Sequence, residues 1–260
     1  MMKMQAILLV LVFGISQAQA QPKPRPVARP MIDTRVEFGD SVVTHIADGG
    51  GWKTTITVNN LSNTQAAAFT LNFYGDDGNP KVFSFVGIGN QSAVTGALAP
   101  AASAVIKTAG AGAATQGWAM FDSSTSGQIS GFAVFSNTIN GNEAAVPFES
   151  WITDKQLLSF DNTAGFGMGV ALVNANPLTS MNITAIFYDL NGVILGTDVF
   201  QMAALTHTAF IFSNQWLFTA GKIGTVFFEP DQTGLAILGL RYTPTGAFTS
   251  VASLHEADAI

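Results

Sequence analysis

Residues 69–78 read FTLNFYGDDG, and residues 183–192 read ITAIFYDLNG. In the first stretch Phe69, Leu71 and Phe73 occupy every second position, which is the period of a half-buried β-strand. The Asp-Gly and Asn-Gly pairs that follow tolerate the positive φ angles of tight turns. Each stretch therefore predicts a strand that ends in a turn.

The two stretches belong to a longer internal match, in which residue 69 aligns with residue 183, an offset of 114. Other features recur in the same order, with small changes of offset between them: Trp52 with Phe166, Asn60 with Asn174, Gly117 with Gly224, and Gly131 with Gly239. Self-similarity of this kind indicates repeated structural units. We expect one module to be present twice.

Each copy contains about six or seven short strand patterns separated by turn residues, and no long helical pattern. The predicted fold class is all-β, with two tandem immunoglobulin-like β-sandwich domains related by internal duplication. We place module 1 at residues 36–147, a linker at 148–158, module 2 at 159–251 and a C-terminal tail at 252–260.

The composition excludes several classes of protein. Hydrophobic residues make up 48% of the 260 residues and charged residues only 11%, against about 25% charged in an average domain. Disordered chains and long coiled coils need more charge than this. The absence of cysteine excludes disulfides, thiol nucleophiles and Cys-ligated metals. A net charge of −6 argues against a nucleic-acid partner.

The first residues predict export. Lys3 precedes an apolar run at residues 6–15, and Ala18-Gln19-Ala20 fits a signal-peptide cleavage site. That run is too short for a membrane span, which needs about 20 residues, so we expect a cleaved signal peptide at 1–20 and no stable span afterwards. Residues 21–35 form a Pro-rich, basic lead. The predicted location is secreted or periplasmic.

Motifs for catalysis are missing from the sequence. His45, His207 and His255 lie far apart and lack the spacing of metal ligands, and no Gly-x-Ser-x-Gly elbow occurs. Folding could bring His45 near an acid, but a lone histidine is more often structural. We therefore predict no catalytic residue, no metal and no cofactor, and a protein that is not an enzyme.

The candidate ligand-binding residues are Trp52, Asp48, Trp118 and Trp151. Three glycines separate Asp48 from Trp52, which permits unusual backbone angles or a close ligand approach. Tryptophan rings with nearby Asp or Asn provide stacking surfaces for sugars, although most tryptophans lie in cores or interfaces. Because the loop before Trp52 has a counterpart in the second copy, a purely fold-forming role is the alternative.

Several runs of sequence resemble exported bacterial proteins of unknown function that contain paired immunoglobulin-like modules. These runs are HIADGGGW at 45–52, NFYGDDG at 72–78, FDNT at 160–163, GVALVN at 169–174 and GAFTS at 246–250. The resemblance covers roughly residues 40–251. It implies a tandem sandwich outside the cytoplasm, and it implies no activity and no site residues.

The sequence thus predicts a non-enzymatic, exported binding or structural protein whose partner is an unknown protein or glycan of the cell envelope. One alternative is a carbohydrate-binding protein that uses surface tryptophans. Another is a periplasmic chaperone-like protein, which needs cationic residues between its domains; only Lys107, Lys155 and Arg241 are candidates for that role, and the acidic body argues against it.

Overall fold

The computed structural model describes residues 40–150 and 155–255, and the described residues belong to one compact unit. The predicted signal peptide, the Pro-rich lead and Trp151 lie outside the described residues. The described chain consists almost entirely of strands, which confirms the all-β prediction.

Module 1, described over residues 40–150, contains strands β1 to β10. Their bounds are β1 Ser41–Asp48, β2 Trp52–Asn60, β3 Ala67–Tyr74, β4 Phe83–Phe85, β5 Gly89–Gln91, β6 Ala93–Leu98, β7 Ser103–Lys107, β8 Thr115–Ser123, β9 Ile129–Asn137 and β10 Glu143–Glu149. All but β4 and β5, which pair as a separate hairpin, form one sheet in the order β6-β3-β8-β1-β10-β9-β2-β7.

The two halves of this sheet enclose one core. Phe69 and Leu71 of β3 belong to the same buried cluster as Ile56 of β2 and Phe135 of β9, which come from the other half. Strand β1 joins the halves, because it pairs with β8 along most of its length and with β10 at Val42 and Val43. The arrangement is that of a β-sandwich, with two layers of strands around apolar side chains.

Module 2, described over residues 155–255, contains β11 to β19 and two short helical turns. Their bounds are β11 Gln156–Asp161, β12 Gly167–Asn174, β13 Met181–Asp189, β14 Ile194–Met202, β15 His207–Ile211, α1 Phe212–Gln215, a 3-10 turn Leu217–Thr219, β16 Ile223–Pro230, β17 Leu235–Tyr242, β18 Phe248–Val251 and β19 Leu254–His255. One sheet has the order β14-β13-β16-β11-β19, and the other has the order β15-β12-β17-β18.

The two modules have the same strand order. The series β6-β3-β8-β1 of module 1 has the same sequential order as β14-β13-β16-β11 of module 2, and β7-β2-β9-β10 corresponds in the same way to β15-β12-β17-β18. Module 1 differs by the β4-β5 hairpin, which lies between β3 and β6, whereas β13 and β14 are joined directly by a turn.

The predicted turns are present. Gly78 has a φ of 79° and Gly192 a φ of 77°, which are the left-handed angles that an Asp-Gly or Asn-Gly turn requires. Strand ends differ from the predicted boundaries: β10 and β11 extend into residues 148–158, which we predicted as the linker, and β19 lies within the predicted tail and pairs with β11.

The sheet β15-β12-β17-β18 is covered on both faces. Val170 and Leu172 of β12 pack into the core of module 2, while Ala171 and Val173 of the same strand pack against residues of module 1. The two modules therefore share an apolar interface. A strand buried on both faces has no polar face, which explains the near-continuous apolar run of β12.

Candidate functional site: a cavity between the modules

The turn after β3 docks on module 2. Gly78 lies so close to the segment before β15 that an added Cβ atom would sit 2.8 Å from the carbonyl oxygen of Ala204. The backbone N–H of His207 donates to the carbonyl oxygen of Asp76 at 3.2 Å. This glycine therefore serves both the turn and the close approach of the two modules.

Three polar side chains cross the interface at this point. Asp76 Oδ1 lies 2.7 Å from Nδ1 of His207, and Nε2 of His207 lies 3.2 Å from Nδ1 of His45. His207 has a fully buried side chain, His45 is 8% exposed, and the Asp76 carboxylate is half exposed. We call this arrangement the Asp76–His207–His45 chain; it runs from solvent into the interface.

Burial and the neighbouring charges shift the pKa values of His45 and Asp76. Desolvation, together with the charge of His207, lowers the pKa of His45 from 6.5 to about 3, so this ring is neutral near pH 7. Burial acts to raise the pKa of Asp76, but hydrogen bonds from His207 and Gln116 outweigh it and the pKa is lowered. The ionised carboxylate accepts a hydrogen bond from Nδ1–H of His207.

Nδ1 of His45 and Nε2 of His207 share one hydrogen bond, and the tautomers of the two rings decide which nitrogen donates. The remaining nitrogen of His45, Nε2, makes no hydrogen bond to any residue that the structure describes. It is not among the buried, unpartnered side-chain atoms of the described residues, so water or a ligand in the cavity can reach it.

His45 lines a cavity of about 380 Å³ between the modules. This volume lies within the ~300–1,000 Å³ typical of small-molecule sites. The residues that line it come from both modules and none is an Asp, Glu, Lys or Arg: His45, Ala47, Trp52, Ala114, Thr115, Gln116, Phe135, Gly169, Val170, Ala171, Ala209, Phe210, Ile211, Leu240 and Tyr242.

Aromatic rings form one side of this cavity. The ring centroid of Trp52 lies 5.8 Å from that of Phe135 and 5.7 Å from that of Phe248, and His45 meets Phe135 edge to face at 5.3 Å. Tyr242 lies 5.8 Å from Phe248 and completes the cluster. Because the rings hold one another, their positions are set before any ligand enters.

Trp52 is therefore a cavity-lining residue, half buried and placed where a ligand could contact it. Asp48 is buried and does not line the cavity; its carboxylate accepts the backbone N–H of Gly110 at 2.8 Å and holds the neighbouring loop. The aspartate and the tryptophan that the sequence analysis grouped together thus have different surroundings.

Trp118 is fully buried at the interface of the modules. Its ring stacks on Tyr74 at 4.7 Å, and its Nε1–H donates to the carbonyl oxygen of Leu205 at 3.0 Å. It has no exposed face on which a sugar could stack. Trp151 lies outside the described residues.

The bases considered for a chaperone-like site do not line this cavity. Arg241 pairs with Asp161 at 3.1 Å and lies over the ring of Phe166 at 3.9 Å, and Lys155 pairs with Glu229 at 2.8 Å. These contacts are all within module 2.

A second, polar depression of about 620 Å³ adjoins the cavity and shares Ala114, Thr115 and Gln116 with it. It contains Asp76, Asp77 and Lys81. The side chain of Asp77 accepts hydrogen bonds from Asn79 at 3.1 and 2.8 Å, as expected of a turn. Within the described ranges, no three His, Asp or Glu side chains are placed to hold a metal ion.

Sequence reasoning did not find the Asp76–His207–His45 chain. The three residues lie on different strands or loops and follow no spacing rule, and the sequence assigned Asp76 to a turn. The sequence contains only three histidines, which is a reason to consider each of them. Their positions along the chain do not show that His45 and His207 lie together.

No helix of residues 40–150 and 155–255 is long and apolar enough to cross a membrane. A scan of family models, a search of curated proteins and a search of solved structures each found no match to the chain.

Proposed function

We propose that this chain is a non-enzymatic, exported protein of two immunoglobulin-like modules that binds a small ligand of the cell envelope or its surroundings in the cavity between them. The observation that carries the proposal is the uncharged, aromatic cavity whose wall contains a histidine nitrogen with no hydrogen bond to a described residue. A cavity with apolar walls and few polar groups is the usual form of a small-molecule site.

Two matched asparagines support the proposed duplication. Asn60 Nδ2 donates to the carbonyl oxygens of Gln65, Leu98 and Ala99, and its Oδ1 accepts from the backbone of Ser62. Asn174 does the same in module 2, where the partners are the carbonyl oxygens of Thr179, Met202 and Ala203 and the backbone N–H of Asn176.

Two matched glycines support it as well. A Cβ atom on Gly117 would collide with the carbonyl oxygen of Tyr74, and one on Gly224 would collide with that of Tyr188. These are the pairs that the internal alignment brings together. Common ancestry of the modules explains why the same close approach recurs.

A binding role is favoured over catalysis by the surroundings of His45. No serine or threonine hydroxyl of the described residues makes a hydrogen bond to its Nε2, so the histidine does not form a base–nucleophile pair there. The same atom lies in the cavity wall, where it can form a hydrogen bond with a bound molecule.

Closing the mouth of the cavity tests the binding role. Ala114 is exposed and lines the cavity, so Ala114→Phe should abolish binding of small molecules that raise the melting temperature of the wild type. Ala113→Phe, one exposed residue earlier and outside the lining, is the matched control and should bind normally. Equal binding by both variants would contradict the proposal.

Export is tested separately, by fractionating cells that express the full chain and determining the N-terminus by mass spectrometry. We expect the mature protein outside the cytoplasm, with Gln21 as its first residue. An uncut chain in the cytoplasm would contradict this part of the proposal.

Carbohydrate binding is a second candidate, favoured by the partial exposure of Trp52. A glycan array should then retain the wild type and lose Trp52→Ala, while Phe132→Ala, which removes an exposed ring outside the cavity, should be retained. No retention of the wild type, or equal retention of all three proteins, would remove this candidate.

A further inference from the structure

We propose that the outer faces of the two modules bind a second copy of this chain, with module 2 of one copy docked on module 1 of the next. This contact between copies repeats the contact that the two modules make within one chain. The proposal goes beyond ligand binding in the cavity and does not depend on it.

The contact within the chain joins two unlike faces. The docking face is the outer side of β1, β3 and β8 of module 1, with the side chains of Val42, Tyr74, Trp118 and Met120. The receiving face is the outer side of β12 and β17 of module 2, with the side chains of Ala171, Val173, Ala236 and Leu238. Because the two modules have the same strand order, module 2 also has a docking face and module 1 also has a receiving face, and this contact uses neither of them.

Strand registers identify the docking face of module 2. Gly224 approaches the carbonyl oxygen of Tyr188 as Gly117 approaches that of Tyr74, so the two tyrosines occupy equivalent positions. The registers then give the other equivalent positions, which are Leu157 for Val42, Thr225 for Trp118 and Phe227 for Met120.

The docking face of module 2 is exposed and largely apolar. Met120 is buried in the contact, whereas Phe227 is partly exposed. Leu254, which pairs with Leu157 and shares its face, is 59% exposed. The turn after β13 adds Leu190, which is 75% exposed, at the place where the turn after β3 docks on module 2. Exposed apolar patches of this kind mark interaction surfaces.

The receiving face of module 1 is exposed as well. Thr57 and Ala171 are equivalent, since each lies three residues before one of the matched asparagines. Phe132 pairs with Thr57, and Leu238 pairs with Ala171. Leu238 is buried against module 1, whereas Phe132 is 43% exposed. Val105, on the other side of Thr57, is 56% exposed.

One loop beside the receiving face has the same conformation in both modules. Leu205 has a φ of 59°, its N–H donates to the carbonyl oxygen of Asn176, and its own carbonyl oxygen accepts Nε1–H of Trp118. Ala101 has a φ of 55°, and its N–H donates to the carbonyl oxygen of Ser62. Non-glycine residues rarely adopt such angles. The carbonyl oxygen of Ala101 accepts no hydrogen bond from a described residue, so a docking partner can reach it.

A second copy is the partner that fits both faces. In repeat proteins each unit covers the apolar face of its neighbour, and the terminal units usually have a polar outer face. The two outer faces of this chain instead keep exposed Leu, Val and Phe side chains. They are equivalents of two faces that already fit each other within the chain, so a docking face on one copy matches a receiving face on another. Unlike faces give a heterologous contact, which continues from copy to copy.

The contact between copies should be weaker than the contact within the chain. Thr57 and Asn59 stand on the receiving face of module 1 at the positions of Ala171 and Val173, and the docking face of module 2 has Thr225 where module 1 has a tryptophan. Two modules of one chain also meet at a high effective concentration, which separate copies lack. We therefore expect reversible association that increases with protein concentration.

The test is sedimentation velocity of the full chain between about 10 μM and about 1 mM, the range in which linked modules typically meet. Wild type should form dimers and larger species as the concentration rises. Leu190→Asp on the docking face and Val105→Asp on the receiving face should each remain monomeric. Both residues are exposed and neither lines the cavity, so ligand binding and melting temperature should stay near those of wild type.

Leu178→Asp is the matched control, because Leu178 is a similarly exposed leucine at the opposite end of β13. Its equivalent in module 1, Thr64, is exposed and takes no part in the contact. This variant should associate as wild type does.

A mixture of the two face variants tests the head-to-tail arrangement. Each variant supplies the face that the other has lost, so an equimolar mixture should form dimers and nothing larger. Wild type that stays monomeric at about 1 mM would overturn the proposal. Association of either face variant alone, loss of association in Leu178→Asp, or a mixture that stays monomeric while wild type associates would overturn it too.

Discussion

Acid should destabilise this protein through His45. The perturbation is a change from pH 7 to pH 5, applied to wild type and to a variant, His45→Gln, that cannot take up a proton at this position. The groups that face His45 and titrate or carry charge are His207, which it contacts directly, and Asp76 behind it.

The sign follows from the lowered pKa. The folded state holds His45 with a pKa of about 3, whereas an exposed histidine has a pKa of 6.5. Between these two values the unfolded chain binds a proton that the folded chain does not, so the free energy of unfolding falls as the pH falls from about 6.5 towards 3. Above pH 6.5 this contribution no longer changes.

The magnitude between pH 7 and pH 5 is about 2 kcal/mol, since the unfolded state becomes almost fully protonated at this position over that interval and one pKa unit corresponds to ~1.4 kcal/mol. For a chain of this size a loss of about 2 kcal/mol lowers the melting temperature by roughly 4–8 °C.

Urea unfolding followed by tryptophan fluorescence at both pH values measures the effect. Wild type should lose about 2 kcal/mol more than His45→Gln does, whatever the stability of the variant at pH 7. His45→Phe, a second neutral replacement of different polarity, should behave like His45→Gln in this comparison. Variants that lose as much stability between pH 7 and pH 5 as wild type would refute the reasoning.

Three further changes test the packing by urea unfolding. Gly224→Ala should lower the free energy of unfolding by about 3 kcal/mol, because its Cβ would collide with the carbonyl oxygen of Tyr188. Gly167→Ala is the control: its Cβ would enter open space, so it should change the free energy of unfolding by less than about 1 kcal/mol. Equal losses in the two variants would contradict this account. Asn174→Ala should cost about 3 kcal/mol because three carbonyl oxygens lose their donor, and a loss below about 1 kcal/mol would show that water replaces the side chain. Trp118→Ala should cost about 3–5 kcal/mol, and a smaller loss would show that the interface collapses around the gap.

Strands with one buried face were predicted well from the sequence. The alternation of Phe69, Leu71 and Phe73 corresponds to β3, and its counterpart at residues 183–192 corresponds to β13 and the turn after it. Strand β1 was not predicted. Every residue from Ser41 to Asp48 is buried, because the strand lies between the core of module 1 and the sheet of module 2, and a strand covered on both sides has no period of two.

The candidate site residues were also predicted only in part. Trp52 was identified because the three glycines before it permit unusual backbone angles or a close ligand approach, and it lines the cavity. Trp118 had equal standing in the sequence, yet it is buried at the interface. Residue type does not specify exposure, since a tryptophan serves a core, an interface or a stacking surface with the same side chain.

By itself, the sequence determined the fold class of this protein and its local structure. Its composition shows the sparse charge, and residues close together along the chain determine the period-two strands and the Gly-containing turns. Only the tertiary structure decided how the modules meet, because that depends on contacts between residues more than a hundred positions apart. His45, His207 and Asp76 become one hydrogen-bonded chain, and the cavity beside them exists, only when the two modules pack together. Burial in that interface then lowers the pKa of His45 and keeps its ring neutral near pH 7.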